Sequence, residues 1–339
     1  MALFLVRRLV STALTVVAVS FVTFVAFGLV LDPSGPMVLD PTPHGHAARV
    51  FVQQHYHLED PILSRYVRWA GGVVQHGFGR KVSTDIAAGS PIRLRTEGER
   101  IGPGIWHAAE ISAAMVGGAL VLVIAGSTLV GGIAAKRRRF RADVSTRFFA
   151  YVAAAMPTFL IGDLLKRGVL PGAHVIHGFN GPIATGGGWF LLGAPTGGVV
   201  DWVRHLTLPA LALAVGLVGV YARYVRSSLL VELAAPYVVV ARAKGLPEHT
   251  VLLRHALRNA LAPLVSLLSL EMGAVIGASL AADGVFGTGG LATYFLNSFG
   301  SADPFDLTAV MVVSAIVVCA FALVGDVLVS TLDPRLRAS

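Results

Sequence analysis

Charge is what this sequence has least of. Only 14% of its 339 residues are Asp, Glu, Lys or Arg, where a water-soluble domain carries about 25%. Hydrophobic residues make up 55% and the mean hydropathy is +0.71. These values argue against a soluble globular enzyme, and equally against a disordered chain, because there is ample apolar surface to offset the entropy of ordering. Cysteine is nearly absent. Cys319 stands alone in an apolar run, Val310 to Leu323, so no intrachain disulfide and no CxxC metal or redox motif can form, and it reads as a small packing residue. The common catalytic signatures are missing too: GxxxxGK[ST], HExxH, GxSxG and CxxC. With no phosphate-binding loop, any ATP-driven work by this protein requires hydrolysis on another chain.

Long apolar runs are abundant. About 20 apolar residues in a helix cross a hydrocarbon core of about 30 Å while satisfying their own backbone groups. Six stretches qualify: Leu9 to Leu31, Ile111 to Ala135, Phe148 to Leu165, Leu206 to Ala222, Ala260 to Ala282, and Leu307 to Val329. The third is the weakest, being interrupted by Pro157 and Asp163, and the fifth and sixth each hold one carboxylate, Glu271 and Asp326. Arg7 and Arg8 before the first run resemble a signal peptide. The run is too long for one, no small-x-small cleavage site follows, and a twin-arginine export signal needs more than the bare pair, so it reads as a retained helix.

The net charge of +8 is distributed unevenly. Basic residues concentrate before the first run (Arg7, Arg8), between Lys136 and Arg147, between Arg223 and Asn259, and in the tail (Arg335, Arg337). The positive-inside rule then predicts that these four segments, and so both termini, are cytoplasmic. The surplus reads as an orientation signal rather than a nucleic-acid surface. The external side has a long loop, Asp32 to His107, rich in Pro, Gly and His, with expected short helices near 47–57 and 61–74. Its histidines, His44, His46, His55 and His57, read as solvated, with a metal site on imidazoles two apart as the alternative. Ile176 to Gly198, with Gly186–Gly188, reads as a second external loop.

Two features lie inside the expected spans. A carboxylate in a membrane is costly and tends to face an interior or a pathway; Glu271 fits that, whereas Asp326 sits close enough to its helix end to reach water or headgroups. Gly273 and Gly277 form GxxxG, which permits close helix approach, either within the chain or against a second membrane subunit.

The most informative segment is cytoplasmic, Tyr237-Val-Val-Val-Ala241-Arg242-Ala243-Lys244-Gly245-Leu246-Pro247, followed by His255-Ala-Leu-Arg-Asn-Ala-Leu-Ala-Pro263. Ala241 to Lys244 favours helix, Gly245 suits a left-handed cap and Pro247 starts another helix. The residues alone leave two readings: a short exposed helix that docks into a partner's groove, or a basic amphipathic loop on lipid headgroups.

This segment resembles the EAA-type loop of ABC-importer permeases, in the form found in the dipeptide/oligopeptide permease family. Similar agreement appears in Leu-Val-Arg-Arg-Leu (5–9), Asp60-Pro61 with Arg65-Tyr66 and Arg68-Trp69, His205 to Leu211, Ala222 to Ser228, Val285-Phe286 with Gly289-Gly290-Leu291, and Leu332 to Arg337. The resemblance implies an all-α membrane protein with six transmembrane helices of the type I importer permease kind. It also implies a homologous second permease, two ATP-binding subunits and an extracytoplasmic substrate-binding protein as partners. Tyr237 to Pro247 would be the helix that enters a cleft of the ATPase, with Gly245 its turn and Arg242 and Lys244 its cationic rim. Three departures stand out: Val239 replaces the acidic residue that names the loop and Pro236 stands where an acidic residue is common; 87–104 looks like an insertion; and Glu271 falls where a neutral polar residue is expected.

The expectation is therefore a non-catalytic, multi-pass permease subunit of the bacterial inner membrane, importing di- or oligopeptides. ATP and Mg would sit on partner subunits and no cofactor, metal or nucleic acid on this chain. The expected organisation is 1–31 (terminus and first span), 32–107 (external cap), 108–329 (transmembrane core with coupling loop 223–259) and 330–339 (tail). Glu271, Gly273, Gly277, Asp283 and Phe286 are the candidate pathway or inter-subunit residues. Nickel, haem or glutathione import within the same family is the alternative. A stand-alone proton-coupled transporter acting through Glu271 and Asp326 is a rival from another class.

Overall fold

A computed structural model of the chain describes residues 2–32, 34, 46–47, 49–50, 53–54, 57–78, 83–85, 93–95, 101–136, 148, 151–153, 155–169, 191–300 and 304–332. In chain order the elements are α1 (Ala2–Val30), α2 (Ile62–His76), β1 (Ser83–Asp85), β2 (Arg93–Arg95), α3 (Ile101–Lys136), α4 (Thr158–Val169), α5 (Val199–Leu233), α6 (Pro236–Ala243), α7 (Glu248–Thr250), a π-helical turn (Val251–Ala256), α8 (Leu257–Leu270), α9 (Met272–Phe286), α10 (Leu291–Gly300) and α11 (Pro304–Leu332). The fold is helical, as expected of a multi-pass membrane protein, apart from the antiparallel ribbon of β1 and β2. Five helical stretches are long and apolar enough to cross a membrane, Val6–Val30, Ile101–Ala135, Val199–Leu233, Glu248–Leu270 and Pro304–Ser330; the pair α9 and α10 counts as a sixth if taken as one broken span.

Several boundaries differ from the expected ones. The second helix starts at Ile101 rather than near Ile111. Pro103 lies in its first turn, where a missing N–H removes no helical bond. The third expected span is broken at Pro157: residues 148, 151–153 and 155 are helical before it, and α4, of 12 residues, begins after it, the proline's carbonyl accepting from the N–H groups of Leu160 and Ile161 at 3.0 and 3.1 Å. The fifth expected span is interrupted at Glu271, whose φ of −91° and ψ of 7° separate α8 from α9. His44, His55, the basic loop 137–147, Gly186–Gly188, most of 87–100 and the tail beyond 332 lie outside the described residues.

The residues form two compact units. One comprises 111–289 and 318–339 and rests on close helix contacts made possible by glycine. A Cβ at Gly131 would fall 2.7 Å from the Ala222 carbonyl oxygen, and one at Gly126 would fall 2.9 Å from Val218, so α3 lies directly on α5. Ile111, Met115 and Ala119 pack there with Leu206, Ala210, Leu213 and Ala282. On the other side of α5, Ile161, Leu192, Leu208, Ala212 and Phe286 form a second core. The other unit, 2–110 and 290–317, carries an aromatic cluster of Phe24, Tyr66, Trp69 and Phe305, and the Ser20 and Tyr66 hydroxyls meet at 2.8 Å. Within α1 the hydroxyls of Ser11, Thr15 and Thr23 return to the preceding turn, donating to the carbonyls of Arg8, Ser11 and Val19, so these three carry no unmet polarity into the bilayer.

Candidate functional site

The segment singled out in the sequence folds as a short helix seated on the ends of longer ones. Val238 and Ala241, three apart on α6, are buried against Ala135 of α3, Leu229 of α5, Val251 and Ala256 of the π turn and Ala260 of α8. The other side is open: residues 242–249 are all exposed, and Val239 and Val240 are 56% and 52% exposed. Apolar side chains facing outward on an eight-residue helix that buries only two residues make a surface suited to a partner.

The helix ends in a glycine cap. Gly245 adopts φ +74°, its N–H donates to the Arg242 carbonyl at 2.9 Å and the Leu246 N–H reaches the Ala241 carbonyl at 3.4 Å, the paired bonds of a Schellman motif. Pro247 follows in extended conformation, and its carbonyl accepts from Thr250 and Val251 at 2.9 and 3.1 Å to open α7. The left-handed cap and the proline start are both where the residue types placed them.

Side-chain bonds fix this turn to its neighbours. Arg242 donates through Nε and Nη2 to Glu248 at 3.1 and 2.7 Å, and these bonds hold the guanidinium above its ordinary pKa range. The rim is thus less cationic than expected: Arg242 is paired with Glu248, and Lys244 is exposed. The sequence signal lay in an acid six residues past the arginine, across a Gly-Leu-Pro turn. Tyr237 joins three elements, donating its hydroxyl to Glu232 at the end of α5 and accepting from Asn259 Nδ2 of α8 at 3.1 Å. Burial, with the bond to Glu232 next, raises the Tyr237 pKa. Ala243 is exposed on the outer face.

The five intramembrane candidates separate into two sets. Asp283 and Phe286 are 1% and 2% exposed, with Thr288 Oγ1 donating to Asp283 at 2.6 Å and Gly287 capping α9 at φ +65°. They hold the fold together. Glu271, Gly273 and Gly277 are exposed, and a Cβ at either glycine would meet nothing within 4 Å. The GxxxG face therefore does not pack within the described chain. Glu271 Oε2 accepts from the hydroxyl of buried Tyr221 at 2.5 Å, a partnership that sequence spacing could not show. Among the described residues, no cluster of three His, Cys, Asp or Glu could hold a metal ion.

Residues 127–338 match the family described as binding-protein-dependent transport system inner membrane component. The chain is 29% identical over 354 residues to an oligopeptide transport system permease protein of Bacillus subtilis, covering 99% of this chain and 100% of that protein. It is 28% identical over 347 residues to an oligopeptide transport system permease protein of Mycobacterium tuberculosis, covering 100% of each. It is 25% identical over 339 residues to a dipeptide transport system permease protein of Bacillus subtilis, covering 99% and 98%.

Proposed function

Because the chain belongs to the family of binding-protein-dependent transport inner membrane components, we propose that it acts as the permease subunit of a peptide-importing ABC transporter and is driven through the turn centred on Gly245. It is a multi-pass bacterial membrane protein, and its full-length relatives carry oligopeptide and dipeptide transport in their names. It works within a complex of several subunits. In this reading two ATP-binding subunits close on ATP, α6 and the Gly245 turn follow them, and a passage shared with a second, homologous permease switches sides. An external binding protein delivers the peptide. Both termini and residues 223–259 face the cytoplasm, as the basic residues favour. ATP and Mg stay on the partners.

The observation that carries this reading is the exposed, glycine-capped helix whose underside is bolted to α3, α5 and α8 while its outer face is open. A push on that face reaches three membrane helices at once. The test places a single cysteine on it, Leu246→Cys, in a Cys319→Ala background, within the full complex. Oxidation is expected to cross-link it to an ATP-binding subunit carrying a cysteine in its cleft. Efficient cross-linking only from a position on the opposite end of α5, such as Val200→Cys, contradicts the docking assignment.

A further inference from the structure

Glu271 is the centre of an unusual stretch. It separates α8, of 14 residues, from α9, of 15, so at 1.5 Å per residue roughly 20 Å of helix lies on each side of it. The backbone ladder runs on through the interruption: Glu271 N–H donates to Leu267 O at 3.1 Å and Val275 N–H to Glu271 O at 3.0 Å. With α8 and α9 taken together as one span centred on their junction, Glu271 stands about 15 Å from either edge of a 30 Å hydrocarbon layer, beyond the reach of its side chain. Exposure to lipid there is costly. Its face must therefore meet water or protein.

That face is continuous and open. Pro263, Leu270, Glu271, Ala274, Gly277 and Gly284 recur at helical spacing, and all are exposed. Glu271 is the one charge among them. Tyr221, 1% exposed, anchors Oε2 from behind through its hydroxyl. Oε1 has no hydrogen-bond or ion-pair partner among the described residues, and no Lys, Arg or His of those residues pairs with the carboxylate. A carboxylate offers about four acceptor sites, and among the described residues only the Tyr221 hydroxyl fills one. A Cβ added at Gly273 or Gly277 would have no atom within 4 Å, so α9 is open on this stretch as well.

From this geometry we infer that Glu271, held by Tyr221, is a cation subsite in the cargo passage, favouring peptides that carry an ammonium or guanidinium side chain. This rests on the peptide-importer reading above. A carboxylate with no counter-cation among the described residues attracts a passing cation and repels an anion.

The test uses the full complex in membrane vesicles and three tripeptides that differ only in a central lysine, glutamine or glutamate. The wild-type complex is expected to import the lysine peptide faster than the glutamate peptide. Glu271→Gln keeps an acceptor for Tyr221 and removes the charge, and is expected to lower the lysine-to-glutamate uptake ratio by roughly fivefold. Glu271→Asp is expected to keep the ratio nearer the wild-type value, and Glu271→Lys to invert it. The ratio is internal to each preparation, so reduced assembly does not mask it. An unchanged ratio in Glu271→Gln, including equal loss of all three peptides, overturns the inference, as does an equal fall in Glu271→Asp. Import of none of the peptides by the wild-type complex instead overturns the peptide-importer reading.

Discussion

Arg242 and Glu248 meet across the Gly245 turn, the guanidinium donating through Nε and Nη2 to both carboxylate oxygens at 3.1 and 2.7 Å. The pair closes the loop between α6 and α7 and sets the angle at which the exposed helix leaves its seat. Exposed pairs contribute little to stability, so its value lies in geometry. Arg242→Glu alone is expected to slow ATP-driven uptake by roughly two- to fivefold. The exchange Arg242→Glu with Glu248→Arg should recover most of the loss, measured as initial uptake rate per complex. No recovery in the exchanged pair would assign Arg242 to the partner's surface instead.

Gly245 tests the turn itself. Its φ of +74° is a backbone state that costs a residue with a side chain about 1–2 kcal/mol, and more if it is β-branched. No atom lies within 4 Å of an added Cβ, so the cost is conformational rather than a clash. Gly245→Val should abolish uptake while leaving the chain in the membrane at normal amount, and Gly245→Asn, which tolerates this region, should retain much of it. Normal uptake by Gly245→Val would mean that the turn is free to take another shape.

Tyr237 ties α6 to α5 through Glu232 and to α8 through Asn259. Tyr237→Phe keeps the ring and removes both bonds, each worth about 0.5–1.5 kcal/mol. If those bonds carry motion from α6 into the membrane helices, the variant still assembles with the ATP-binding subunits but spends more ATP per peptide imported. Measuring hydrolysis and uptake on the same vesicles separates this from a simple loss of assembly, which lowers both together.

Close approach of α3 to α5 makes a stability prediction independent of transport. A Cβ at Gly131 would meet the Ala222 carbonyl oxygen at 2.7 Å and the Val225 Cβ at 2.9 Å, whereas one at Gly132 would meet nothing within 4 Å. Gly131→Ala should destabilise the detergent-purified protein by about 1–3 kcal/mol, seen as a fall in Tm, and Gly132→Ala should not. Equal Tm values for the two variants would contradict the helix contact.

The apolar runs were legible because membrane spans are announced by length and by the absence of charge, both countable. Gly245 and Pro247 were legible because glycine enters the left-handed region without penalty, whereas proline fixes its own φ and suits a helix start. What the sequence concealed depends on how helices begin and pair. Pro103 falls within the expected loop Asp32 to His107 but lies in the first turn of α3, and Asp201 falls outside the expected spans although its carboxylate accepts from the N–H groups of Thr196 and Gly197, both at 2.9 Å, at the start of α5. Tyr221 and Glu271 are fifty residues apart, and only the packing of α5 against α8 and α9 brings them together. The openness of Gly273 and Gly277 was one of two alternatives that spacing could not separate.

The central claim is that this chain moves peptides by mechanical coupling to ATP hydrolysed elsewhere. Its most direct test is accumulation of a labelled peptide in vesicles holding the chain with its second permease, ATP-binding subunits and binding protein, compared with vesicles holding the chain alone under a proton gradient. The account predicts ATP-dependent accumulation by the full complex, lost when the ATP-binding subunits are omitted, and none by the chain alone. Accumulation by the chain alone, driven by the proton gradient and abolished by Glu271→Gln, would contradict it.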